Sequence, residues 1–439
     1  MRKLRLFTVA VMPMMLIMAV AGIRPAAAAP ANASAAETFN ALVGHEIFTE
    51  EGQKSSWQAI RFYPENITVN VGDSISWKFD AGVEPHTVSF LSDSKLPDFV
   101  TPECNGAPCP PPPPGGGGGP PPPGVTIKLR VSPIIAFPQG GNSYDGSGIV
   151  SSGVVASDLP GPKDYNLSFT KAGTYTFVCL VHAVQLPDGT IVGMQGKVTV
   201  QAEGSAYPKT NAQVQAEAQA MMAADEQEAR AAEPEAKTKM VTTRPGANGT
   251  TVHHVNSGYQ IFKPTYAIDY MRFAPNDINI SVGDTVEWSS PTPHSFHNVL
   301  FGEEPEALLV EPQPAGPPKL YFNTKIALPS GGPDYAGSDL YSAGIIVGPE
   351  DPPQAGAQGY ALTFSASGRF EYICGLHYHN GMDGHVTVAA RTGGGQPGMP
   401  TTGNADNWSL VAALLVALAA TLVGLFLRLR LMFRRNAVK

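Results

Sequence analysis

The chain has 439 residues, room for two or three domains, with charged residues at only 15% and 46 glycines beside 41 prolines. That balance suits short strands and many turns and argues against an architecture of long helices. The net charge is −8, but setting aside the four positive charges of residues 1–29 and the five of residues 428–439 leaves −17 on the rest. So acidic a body speaks against nucleic acid and for a basic protein partner or a salty habitat.

In chain order, Arg2, Lys3 and Arg5 precede a mostly apolar run, Leu6 to Ile23, and then Ala26 to Ala29. Residues 1–29 therefore read as a secretory signal peptide with a small-residue cleavage site, the other reading being an uncleaved spanning helix. A first domain is expected over 40–201. Within it Ile67–Val71 and Ile75–Trp77 flank Gly72-Asp73 and read as paired strands about a turn. A Pro/Gly-rich insertion at 102–124 cannot form core, and its default is a solvated loop. Cys104 and Cys109 flank Asn-Gly-Ala-Pro, and in an oxidising compartment they read as a local disulfide. Tyr175, Phe177 and Cys179 alternate on one strand face, which points the sulfur into the interior, and His182 follows three residues later. The stretch 202–250 is an Ala/Glu/Gln-rich linker, with a helix expected from Asn211 to about Glu233 as a spacer.

A second domain is expected over 251–390, because the first is repeated there. Gly72, Asp73, Trp77 and His86 return as Gly283, Asp284, Trp288 and His297, each 211 residues on. A block from Pro138 to Gly153 returns at Pro329 to Gly344 with offset 191, and Cys179 and His182 return as Cys374 and His377 with offset 195. Met194 returns as Met382. After it, 391–407 reads as a flexible polar stalk and Trp408–Leu427 as an uncharged stretch long enough to cross a bilayer. The basic tail, 428–439, puts that end in the cytoplasm and all that precedes the span outside. Met399-Pro-Thr-Thr-Gly403 resembles a sortase signal, so attachment to a cell wall stands as the other reading of this end.

Each half thus carries two histidines, one cysteine and one methionine: His86, Cys179, His182 and Met194, then His297, Cys374, His377 and Met382. Two imidazoles and a thiolate in a trigonal plane with a weak axial thioether are the donors of a blue-copper electron-transfer centre. A disulfide between Cys179 and Cys374 would not explain why each is followed three residues later by His.

At these residues the chain resembles the cupredoxin family, the plastocyanin- and halocyanin-like blue copper domains, over about 55–201 and 262–390. The resemblance implies two tandem all-β Greek-key sandwiches, each with one mononuclear type 1 copper and serving redox protein partners; the signal and the apolar span put them at the outer face of a cell membrane. The second half keeps the family's spacing, and Asn298 matches a position whose side chain ties the ligand loops together. The first half departs from it: Thr87 replaces that Asn, and eleven residues rather than four separate His182 from Met194. The turn sequence Leu186-Pro-Asp-Gly189 in that longer loop is expected to project as a small hairpin that holds Met194 less rigidly. Catalytic relatives, multicopper oxidases and copper nitrite reductases, place a His beside the copper-ligating Cys. Here Val178 and Leu180 flank one Cys, and Ile373 and Gly375 the other. The expectation is an electron carrier and not an enzyme; an oxidase or nitrite-reductase-like enzyme, or a copper-binding protein without redox role, are the alternatives.

Overall fold

The computed structural model describes residues 35–49, 56–79, 82–110, 124–337, 339–351 and 356–391. The signal-peptide, spanning-helix and basic-tail segments lie outside these, as do all but the first residue of the stalk and most of the Pro/Gly tract. Among the described residues no helix is long and apolar enough to cross a membrane.

The described residues are mainly of β type, with few helices. The strands that build the first half are β1 (Thr38–Ile47), β2 (Trp57–Tyr63), β3 (Asn66–Asn70), β4 (Ser74–Phe79), β5 (Asp164–Phe169), β6 (Gly173–Gln185) and β7 (Ile191–Gln201). Helix α1 (Asn211–Thr238) follows. The second half repeats the series as β8 (Thr251–Lys263), β9 (Tyr266–Ala274), β10 (Asp277–Ser281), β11 (Thr285–Ser289), β13 (Tyr360–Phe364), β14 (Gly368–Ile373) and β15 (Asp383–Ala389), with β12 (His297–Phe301) standing where the first half has only the two-residue strand Ser89–Phe90.

In each half two sheets close over an apolar layer, the arrangement of a β-sandwich. Trp77 packs on Phe90 and Phe177, and its counterpart Trp288 on Phe301 and Tyr372, with all six side chains essentially buried. One correction concerns the strands about Gly72-Asp73. β3 pairs with β7 while β4 pairs with β1 and β5, so the two lie in opposite sheets and are not partners. The turn is a sandwich corner. Gly72 takes φ +96°, and the Asp73 carboxylate accepts from the backbone N–H groups of Glu37 and Asn70, holding the two sheets' ends together. Asp284 does the same for Thr251 and Ser281.

The halves are joined edge to edge. β2 pairs antiparallel with β9, so one sheet runs β13-β11-β8-β9-β2-β1-β4-β5 across both, the same order read from either end. A second junction pairs Ile127–Val131 with Lys319–Phe322, where Tyr321 faces Arg130. Beside it the buried Glu103 carboxylate accepts from the Tyr321 hydroxyl at 2.9 Å. Cys104 and Cys109 are joined in a disulfide at the tip of the adjoining hairpin.

Helix α1 is not a spacer. Its N-terminus is closed by a reciprocal cap between Thr210 and Gln213. Its buried side chains, Val214, Ala218, Asp225, Ala229 and Ala236, recur at intervals of four and seven and put small residues against the β1, β2 and β9 strands. Asp225 ion-pairs with Arg61 at 2.6 Å and accepts from the Tyr63 hydroxyl at 2.5 Å. The helix also runs past Pro234, where sequence reading stops it, to Thr238. Ala236 is fully buried and its carbonyl accepts from Asn256, so packing of the last turn outweighs the proline's preference.

Candidate metal centre

His86 enters the first half's site from an isolated bridge with Val155, whereas Cys179 and His182 both lie on β6. A strand cannot aim residues three apart at one point, and β6 solves this with a bulge. Its ladder with β7 runs to Val178↔Gln195 and resumes at Ala183↔Gly193, so four residues, Cys179 to His182, stand opposite the single residue Met194. The Cys179 Sγ lies 3.5 Å from His182 Nδ1 and 3.8 Å from His86 Nδ1, and the two Nδ1 atoms are 3.1 Å apart. Met194 is fully buried in the same apolar cluster as Cys179.

In the second half, His297 opens β12, Cys374 follows β14, and a single 3-10 turn at Tyr378–Asn380 carries the chain from His377 toward Met382. Cys374 Sγ is 3.6 Å from His377 Nδ1 and 4.0 Å from His297 Nδ1, with the two Nδ1 atoms 3.0 Å apart. The short loop is locked by its own backbone: Cys374 N–H donates to the Met382 carbonyl and Met382 N–H to that of His377. Met382 is fully buried and shares a cluster with Cys374. These His-Cys-His groupings are the two metal-capable clusters of their kind among the described residues.

Both cysteines receive a backbone N–H at 3.3 Å, from Thr87 in one half and Asn298 in the other. Asn298 Oδ1 accepts from the N–H of Gly375, the residue after the cysteine, and its amide donates to Ile326, Ser342 and Gly344. Thr87 Oγ1 accepts from Leu180, the residue after the other cysteine. The threonine thus supplies the loop tie for which the sequence offered no Asn. The longer first loop is a hairpin closed by bonds between Leu186 and Thr190 and between Gly189 and Leu186. It is not slack: Gly193 and Gln195 donate to Pro264 and Thr265 of the second half, which fastens the strand on both sides of Met194.

The electrostatics fit a cation at each cluster. Burial raises the Cys374 thiol, but the His377 charge and hydrogen bonds from both histidines outweigh it and bring it to about 5. Burial likewise opposes charging His297, yet Asp269 and Cys374 hold it up to about 10. Against the same burial, Cys179 and Glu84 hold His182 at about 10. For His86, burial and the His182 charge press it well below its ordinary value. Two imidazole nitrogens aimed at each other across 3 Å need a proton or a metal between them. Donors about 2 Å from one ion stand about 3.5 Å apart in a plane, close to the spacings of both clusters.

Two carboxylates that sequence reading missed touch the outer nitrogens. Glu84 Oε1 lies 3.0 Å from His182 Nε2, and Glu84 Oε2 lies 3.8 Å from His377 Nε2. Asp269 Oδ1 lies 3.6 Å from His297 Nε2. Each was signalled faintly, as an acid two residues before a ligand and as a lone acid in the apolar run Tyr266–Ala274. The six other histidines pair elsewhere: His45, His253, His294, His379 and His385 with Glu226, Asp284, Asp351, Glu304 and Asp277, and His254 with Ser289.

Residues 262–389 match the family described as copper binding proteins, plastocyanin/azurin family. Over those residues the chain is similar to a copper-binding family, and the soft thiolate–imidazole donor set of the cluster there suits that ion. No curated protein sequence matches the chain. Among solved structures it is similar to plastocyanin from Dryopteris crassirhizoma, at 19% identity over 31% of this chain and 99% of that one, TM-score 0.17. It is likewise similar to auracyanin from Roseiflexus castenholzii, at 20% identity over 33% and 99%, TM-score 0.18.

Proposed function

We propose that the chain is a blue-copper electron carrier with one mononuclear copper in each half. The observation that carries this reading is the pair of His-Cys-His clusters, each with a buried methionine in the same apolar cluster as its cysteine. Bound copper would supply a one-electron couple at Cys179 with His86 and His182, and at Cys374 with His297 and His377, with Met194 and Met382 as axial thioethers. The chain's own part is to keep the donors fixed. The N–H donors on sulfur, the ties from Thr87 and Asn298 and the close packing leave little to rearrange when charge changes.

Carriage is favoured over catalysis because no histidine adjoins either cysteine and the remaining ones pair with other groups. We further assign the signal peptide and the Trp408–Leu427 span the roles their sequences suggest, which holds the acidic body at the outer face of a cell membrane. Its −17 balance suits a basic redox partner.

The test is copper content and visible absorption of the full-length protein. Two coppers per chain and an intense thiolate-to-copper band are expected, with Cys179→Ser and Cys374→Ser each removing one centre and leaving the other. A colourless copper-loaded protein, or loss of all colour in either variant, would overturn the proposal.

A further inference from the structure

Glu84 stands where the two halves bring their ligand histidines together. It is 4% exposed, and its two carboxylate oxygens are divided between the sites. Oε1 takes His182 Nε2 at 3.0 Å, while Oε2, which has no hydrogen-bond partner of its own, faces His377 Nε2 at 3.8 Å. Each of these rings turns its Nδ1 toward its own cysteine, so each imidazole spans from a cluster to the same carboxylate. The repeat sharpens the point. The counterpart of Glu84, 211 residues on, is Ser295, fully buried with an unpartnered hydroxyl. A second carboxylate there would add another like charge to the dry interior, where an unpaired charge is costly. One acid therefore serves both rings.

We propose that Glu84 couples the two sites into one electron-transfer unit, with electrons passing inside the chain along His182, Glu84 and His377. The proposal rests on the copper-carrier reading. One electron leaves reduced copper at one site and arrives at oxidised copper at the other; no bond is made or broken and no proton need move. The fixed parts of the path are two conjugated rings and a carboxylate, with only the 3.0 and 3.8 Å gaps crossed through space. A partner that docks at one half can therefore exchange electrons with the copper of the other.

The experiment is pulse reduction of fully oxidised, copper-loaded full-length protein. It is followed at the wavelength where the spectra of Cys179→Ser and Cys374→Ser differ most. Wild type should show, after the bimolecular reduction, a second phase whose rate does not depend on protein concentration. Both single-cysteine variants should lack that phase, and Glu84→Ala should slow it at least tenfold. Spin–spin broadening in the paramagnetic resonance of the doubly oxidised wild type, measured against the summed single-site variants, tests the closeness of the sites without altering Glu84. A protein with both coppers bound but no concentration-independent phase, or no broadening, overturns the coupling and leaves the carrier reading standing. So does an unchanged rate in Glu84→Ala. Fewer than two coppers in the wild type overturns the carrier reading, and the coupling with it.

Discussion

Gln58 and Asp269 face each other as Cα partners in the ladder between β2 and β9, and they are the same position of the repeat, 211 residues apart. Arg130 and Tyr321 have the same relation at the other junction, at offset 191. A ladder in which a position meets its own counterpart is isologous, as in a two-fold dimer. Symmetry of the backbone makes the difference in chemistry plain: Asp269 gives His297 a carboxylate, and Gln58 is neutral.

That difference should set the potentials apart. A carboxylate on the outer nitrogen makes a ligating imidazole more basic and favours the oxidised metal. Asp269→Asn, made in the Cys179→Ser protein so that one site is read, should raise the potential by on the order of 59 mV, a tenfold shift in a one-electron equilibrium. A redox titration showing no rise, or a fall, would refute this.

Gly258 should be irreplaceable for the second site alone. It sits at φ +75°, and a Cβ there would lie 1.9 Å from His297 Nε2. Gly258→Ala is expected to empty the second cluster and leave the first, so copper content should drop by half. Retention of both bands would count against the geometry.

Copper uptake should release protons. Between about pH 5 and 10 the metal-free second site pairs an ionised Cys374 with a charged His297. The ring must become neutral to bind through Nδ1, so affinity should rise about tenfold per pH unit for each proton expelled. The rise should flatten above about pH 10 and steepen below about pH 5, where the thiol proton must leave too. Calorimetry in buffers of differing ionisation heat checks this, and uptake without proton release near pH 7 would contradict it.

Asp225 should matter to stability. The buried Asp225 holds both the Arg61 guanidinium, whose other partner is Glu65 at 2.7 Å, and the Tyr63 hydroxyl, so Asp225→Ala takes the acceptor from a buried hydroxyl and one of two carboxylates from the guanidinium. A loss of roughly 1–3 kcal/mol is expected in denaturant unfolding, the cost of leaving buried donors without their acceptor. A change below about 1 kcal/mol would show that the helix is held by its alanine packing instead.

That each cysteine would lie beside its two histidines was legible because metal chemistry restricts residue type and spacing together, and a repeat displays the restriction twice. Which sheet a strand joins was not, since β3 and β4 alternate in the same way whether paired or set in opposite sheets. The role of α1 was hidden by composition: alanine reads as helix former in a spacer and as close-packing residue against a sheet alike. Glu84 and Asp269 escaped because their meaning depends on the partner half, which no local window contains.

The matched edges also say what each half would do alone. Cut from its neighbour, a half would expose β2 or β9, a strand built to receive its own equivalent, and so would tend to pair with a second copy of itself. In the first half that pairing sets Gln58 against Gln58, two neutral amides that can hydrogen-bond. In the second it sets Asp269 against Asp269, like charges directly opposite, which destabilise a ladder. The two halves are therefore unequal in self-association, and one acidic side chain on the axis favours the joined chain over pairs of its second half.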